Sequence, residues 1–251
     1  MEMHNISTRL VAHRGYSLAY PENSLSALKA ALECGAFYLE FDIQLSKDKV
    51  PYVIHDNELF RTTGIHGKVT ETSSAQLDRY TVGVNAGFGD RFNLEPLPTL
   101  AVVAELIQSH AQCICFVELK RASIIQFGIN SVYQSVSEII EPIANQCVII
   151  SYDIDILHFT RQQGKFKIGW VFEQWDEVTK QRLYALQPNY AFTDYTSIPQ
   201  DCENLWSGDW LWALYVIDSI ATASNWLHNG AHLIETNDIG GMINKCESIS
   251  E

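Results

Sequence analysis

Two carboxylates one residue apart, Glu40-Phe41-Asp42, and a third in Glu118-Leu119-Lys120 are the side chains best suited to gathering charge at one point. Successive side chains on a strand alternate faces, so Glu40 and Asp42 share a face while Leu39, Phe41, Ile43 and Leu45 share the other. The apolar set must meet helices, which turns both acids inward. The same alternation puts Glu118 and Lys120 on one face at the end of their own strand. Carboxylates that converge lose hydration and repel one another, and a divalent cation is the simplest compensation. Ligation by oxygen suits one Mg²⁺, Ca²⁺ or Mn²⁺ ion better than zinc, which usually takes His or Cys. A local surface ion pair between Glu118 and Lys120 is the competing reading.

His13 closes the run Val11-Ala12-His13, and His55 closes Tyr52-Val53-Ile54-His55. With an ordinary pKa of about 6.5, two imidazoles at one site mouth could serve as acid and base near neutral pH. A lone histidine is usually structural. The other six histidines have no companion motif and are read as background.

Such groups meet only if the strands beneath them do. Nine β-type runs, at 9–13, 37–45, 50–55, 113–120, 147–152, 167–172, 189–194, 210–217 and 231–236, alternate mostly with amphipathic helix signals. One such signal has Asn23 as N-cap and ends at Cys34-Gly35. Only Ser46-Lys47-Asp48-Lys49 separates the second and third runs, too little chain for a crossover, so those two form a hairpin. Setting that arm aside leaves eight parallel strands in 251 residues, the size of a closed (β/α)8 TIM barrel. Residues 1–251 then read as a single domain, with an insertion at about 47–98 after the second barrel strand. Residues 244–251 read as a polar tail.

Composition narrows the partners. With 17 basic and 30 acidic residues the formal charge is −13, and no Lys/Arg-rich run offers a face to nucleic acid. A hydrophobic fraction of 47% excludes a disordered chain. No apolar run reaches the roughly 20 residues of a transmembrane helix and no secretion signal is visible, so the protein reads as soluble and cytoplasmic. Six cysteines without a C-x-x-C pair read as core packing, not as zinc ligands or disulfides.

From about 9 to 237 the chain resembles the glycerophosphodiester phosphodiesterase family, in the order and spacing of His13-Arg14-Gly15, Pro21-Glu22-Asn23, Glu40-Phe41-Asp42, His55-Asp56 with Arg61-Thr62-Thr63, and Glu118-Leu119-Lys120. The resemblance implies a TIM barrel with an insertion after its second strand. It further implies that Glu40, Asp42 and Glu118 hold one divalent cation and that His13 and His55 transfer protons. Arg14 and Lys120 would contact phosphate, and Tyr215, in Tyr215-Val216-Ile217-Asp218, would cover the glycerol. The implied reaction is hydrolysis of small-molecule glycerophosphodiesters to glycerol 3-phosphate and an alcohol. A phospholipase D-like enzyme or cyclising phosphodiester lyase on the same barrel is the first alternative, and a non-catalytic binding barrel the second. Lys49 stands where the family's hairpin usually has glycine.

Overall fold

In the computed structural model, which describes residues 4–83, 87–200, 202 and 204–248, all nine expected strands form. They are β1 (Leu10–His13), β2 (Tyr38–Leu45), β3 (Pro51–Val53), β4 (Ile114–Leu119), β5 (Cys147–Ser151), β6 (Lys167–Phe172), β7 (Tyr190–Asp194), β8 (Leu211–Tyr215) and β9 (Leu233–Thr236). β1 pairs in parallel with β2 on one side and β9 on the other, which closes the eight parallel strands into a barrel. β3 runs antiparallel to β2, with Leu45 opposite Pro51, and stays outside the ring. That arrangement is the (β/α)8 barrel the strand count required.

The barrel is filled from within by Val11, Phe116, Val148, Ile150, Val171, Tyr190, Phe192, Ala213 and Leu233. Phe116 meets both Tyr190 and Phe192 edge-on at 5.0 Å between ring centres. These rings plug the interior, so only the carboxyl ends of the strands are left to hold a site. The opposite strand faces pack on helices, and Trp170, Phe172, Trp210 and Trp212 belong to that outer layer. Cys115 Sγ lies 3.4 Å from Cys147 Sγ in the same layer, and both are free thiols. Between β2 and the helix Leu100–Gln108, the short elements Phe60–Thr63, Val69–Glu71 and Ser74–Leu77 surround a small apolar cluster that includes Tyr52, Leu59, Val69 and Leu77. No helix among the described residues is long and apolar enough to cross a membrane.

Two local readings need correction. Ser24, not Asn23, caps the helix Leu25–Glu33, its Oγ accepting from the Ala27 N–H at 3.0 Å. Asn23 has a left-handed backbone, φ +59°, unlike the extended backbone typical of an N-cap, and its amide serves β2 instead. The supposed polar tail is helical through Ser248, because Ile239, Met242, Ile243 and Cys246 recur at helical spacing and are buried. Residues 249–251 lie outside the described residues.

The hairpin turn carries the cost of a missing glycine. Lys49 sits at φ +66°, where a Cβ is disfavoured by roughly 1–2 kcal/mol. We expect Lys49→Gly to raise stability by up to about 1 kcal/mol, which for a chain of this size is about 2–4 °C in Tm. A thermal melt checks this; an unchanged or lower Tm would contradict it.

Candidate active site

Strand register brings the acids together. In the β1–β2 and β2–β4 pairings His13 lies beside Glu40 and Asp42 beside Glu118, at the carboxyl ends of their strands. Oxygens of Glu40, Asp42 and Glu118 lie within 4.8 Å of one another. All three side chains are buried, and Glu40 and Glu118 line a cavity of about 440 Å³ together with His13, Arg14, His55, Lys120 and Tyr215.

Backbone geometry aims the donors. Arg14 at φ +55° and Gly15 at φ +81° form a left-handed turn, and a Cβ on Gly15 would stand 2.6 Å from the Ala27 carbonyl carbon. That turn directs the Arg14 N–H to Glu40 Oε2 at 3.0 Å. The Arg14 guanidinium lies 3.3 Å from Asp42 Oδ2, and Asn23 donates to the same oxygen at 2.8 Å. Lys120 Nζ reaches Glu118 at 2.8 Å and Asp42 at 3.1 Å. The local Glu118–Lys120 pair therefore exists, but inside the carboxylate cluster and not on the surface.

Burial opposes ionisation of Asp42, yet Lys120 and Arg14 outweigh it and hold that carboxyl below the usual range. Glu40 is driven the other way, by burial and then by Asp42, Glu235 and Glu118. Burial and Asp42 also lift Glu118 to about 7, against the pull of Lys120. Glu40 Oε1 is buried without a hydrogen-bond partner among the described residues. Three acids face two cations here, so the cluster is short of positive charge.

The imidazoles are held differently. His13 Nδ1 lies 2.9 Å from Asn237 Oδ1, a neutral acceptor that leaves Nε2 facing the acids, 3.9 Å from Glu40. Burial, and then Arg14, push His13 down to about 4. His55 Nδ1 lies 2.6 Å from a carboxylate, Asp56. Burial lowers His55 too, although Asp42 and Asp56 resist it. Behind Asp56 stands Arg61, 2.5 Å away, which binds Glu22 through both terminal nitrogens at 2.8 and 2.7 Å. Glu22 also accepts from Arg14 at 3.0 Å. A continuous charged chain thus runs from His55 to Arg14, and this is what Pro21-Glu22-Asn23 does beyond starting a helix.

Tyr215 lines the far wall with its hydroxyl 2.8 Å from that of Tyr152. Ser151, before Tyr152, donates to the Leu119 carbonyl at 2.7 Å and so ties β5 to β4. Two lining acids escaped the sequence reading, Asp194 and Glu235, of which the second is the more deeply buried. Glu235, in β9, is buried, and burial followed by Glu118 and Asp42 raises it to about 8. Alternation along Leu233-Ile234-Glu235 was the available signal.

Comparison with known proteins bears on this arrangement. A sequence model described as the Glycerophosphoryl diester phosphodiesterase family matches residues 13–201. A glycerophosphodiester phosphodiesterase of Caldanaerobacter subterraneus subsp. tengcongensis is 32% identical over 195 residues, 74% of this chain and 77% of that protein. Human glycerophosphodiester phosphodiesterase 1 is 28% identical over 155 residues, 62% of this chain but 46% of that protein. Among solved structures, an Oleispira antarctica phosphodiesterase in complex with the product sn-glycerol-3-phosphate superposes with a TM-score of 0.84 at 20% identity, covering 99% of this chain and 100% of that one. Its likeness concerns the barrel alone. Since the family match spans most of the chain, including His13, Glu40, Asp42, His55 and Glu118, the chain belongs to the glycerophosphoryl diester phosphodiesterase family.

Proposed function

We propose that this enzyme hydrolyses glycerophosphodiesters, the deacylated phospholipids, to glycerol 3-phosphate and an alcohol, as a single catalytic domain using one divalent cation. The observation that carries the reading is the carboxylate triad facing two separately backed imidazoles across one cavity. The names of the relatives and the product bound in the Oleispira structure support the substrate class.

The residues fit a hard cation. Glu40, Asp42 and Glu118 supply oxygen ligands, they outnumber Arg14 and Lys120, and Glu40 Oε1 lacks a partner among the described residues. A cation held by them would stabilise negative charge developing on the phosphoryl oxygens. Arg14 and Lys120 add fixed positive charge where the phosphate binds. His13, kept neutral, accepts the proton of the attacking oxygen at Nε2. His55, whose imidazolium Asp56 stabilises, gives its proton to the departing alcohol oxygen. Tyr215 covers the glycerol. Water and the glycerol 2-hydroxyl both suit His13 as the attacker's base.

A panel of glycerophosphodiesters assayed after chelation and again with Mg²⁺, Ca²⁺ or Mn²⁺ tests the reading. Free glycerol 3-phosphate is the expected product, with turnover lost on chelation and restored by at least one of the ions. A cyclic phosphate as the final product would select the lyase, and lysophospholipid cleavage the phospholipase D-like enzyme. Full activity in stripped protein would remove the metal.

A further inference from the structure

We propose that Glu235 is a substrate-binding residue that accepts a hydrogen bond from a hydroxyl of the glycerol half, so that the enzyme selects a hydroxylated phosphoester over a plain alkyl one. The proposal rests on the phosphodiesterase reading above. It explains a side chain that the triad, the two cations and the imidazoles leave without work. Glu235 is 3% exposed, lines the catalytic cavity, and its Oε1 has no hydrogen-bond partner among the described residues. It stands apart from the three acids whose oxygens gather within 4.8 Å.

Its neighbours make the carboxylate conspicuous. Val11, Ala213 and Leu233 are apolar inward neighbours in or below its layer, and Tyr215, beside it, has its hydroxyl 2.8 Å from that of Tyr152. A buried carboxylate that lacks a donor is a standing cost to folding, and an apolar residue of similar volume would remove that cost. An acid that opens onto a ligand cavity gains its donor when the ligand arrives.

Position then chooses the donor. Glu235 pairs with Val11, one side-chain layer before His13 along β1, and the next step of the β8–β9 register sets Tyr215 beside it. The cavity floor at this layer is the barrel's inner plug, whereas the alcohol must leave through the mouth. The half that stays longer therefore occupies the floor. In glycerol 3-phosphate that half carries free hydroxyls and no cation. A buried ammonium there would require both it and Glu235 to be stripped of water, which a hydroxyl avoids.

The test is calorimetric binding of sn-glycerol 3-phosphate and of n-propyl phosphate, its analogue without hydroxyls, to the Mg²⁺-loaded protein. Wild type, measured at about pH 9 so that Glu235 is ionised, should bind glycerol 3-phosphate about 10- to 100-fold more tightly, the worth of a hydrogen bond to a charged group. Glu235→Leu should bring the two affinities to within about threefold by weakening glycerol 3-phosphate alone, and should raise Tm by about 2–6 °C. Glu235→Gln, which keeps an acceptor in place, should retain most of the preference. Equal binding of the two phosphates by wild type overturns the proposal without any variant, and so does an undiminished preference in Glu235→Leu. A weakened Mg²⁺ affinity in that variant overturns it in favour of metal ligation. If the variant instead loses glycerophosphocholine while keeping glycerophosphoglycerol, Glu235 serves the ammonium and the proposal falls. A wild-type protein that cleaves no diester and binds neither phosphate removes the phosphodiesterase reading itself.

Discussion

Replacing His55 with alanine is expected to lower kcat on glycerophosphocholine by about 10² to 10⁴ while sparing most of the release of p-nitrophenol from its glycerophosphate ester. The asymmetry behind the two imidazoles is the reason. Asp56 places a carboxylate 2.6 Å from His55 Nδ1, which stabilises the protonated ring, whereas His13 has only the amide oxygen of Asn237. A choline alkoxide departs poorly without a proton, but nitrophenolate needs none. If His13 is the proposed base, His13→Ala should depress both substrates alike. Asp56→Asn should reproduce the His55 pattern in weaker form, because it loosens the ring without deleting it. Steady-state rates on the two esters decide the matter; equal losses in His55→Ala would deny it the acid role, and loss confined to the choline ester in His13→Ala would reverse the assignment.

The legible parts of this protein were those with local signals. Alternation along Tyr38–Leu45 gave both the strand and the inward face of Glu40 and Asp42, since the period of two is written in adjacent residues. The short Leu45-to-Val50 gap gave the hairpin and hence the eight-strand count. What required distant partners stayed hidden. Asn23 and Ser24 are both good caps, and only Asp42, 19 residues away, claims the former. Lys120 shows its link to Glu118 in sequence, but its link to Asp42 spans 78 residues. Arg61 reaches Glu22 across 39 residues, so the chain that steadies His55 appears only once the insertion folds back over the barrel mouth. Glu235 obeys the same alternation as Glu40, yet it acquires meaning only when β9 closes against β1. The terminal helix was misread because Asn244, Lys245 and Glu247 dominate the composition while Met242, Ile243 and Cys246 set the period.

Asp42 is the point where the site's charges depend on one another most, so Asp42→Asn should cost at least about 10² to 10³ in kcat/KM. Its two oxygens take Lys120, Arg14 and Asn23, and it is the acid held ionised most firmly, in spite of burial, by Lys120 and Arg14. An amide of the same shape still accepts from Asn23 but offers no charge. Arg14 keeps Glu22 and Lys120 keeps Glu118, so neither cation is stranded and the fold should survive, with a loss of about 1–3 kcal/mol. Glu40 and Glu118, both shifted upward by Asp42 among other causes, should then ionise more easily. Two acids instead of three would nevertheless hold a divalent ion less well, and the Mn²⁺ concentration giving half-maximal activity should rise by more than about tenfold. Asn23→Ala provides the control, because it removes both hydrogen bonds between Asn23 and Asp42 without removing the charge of Asp42. A Mn²⁺ titration of activity in the two variants separates the cases. If Asp42→Asn lost its rate with the Mn²⁺ requirement unchanged, Asp42 would be the anchor of Arg14 and Lys120 and not a metal ligand.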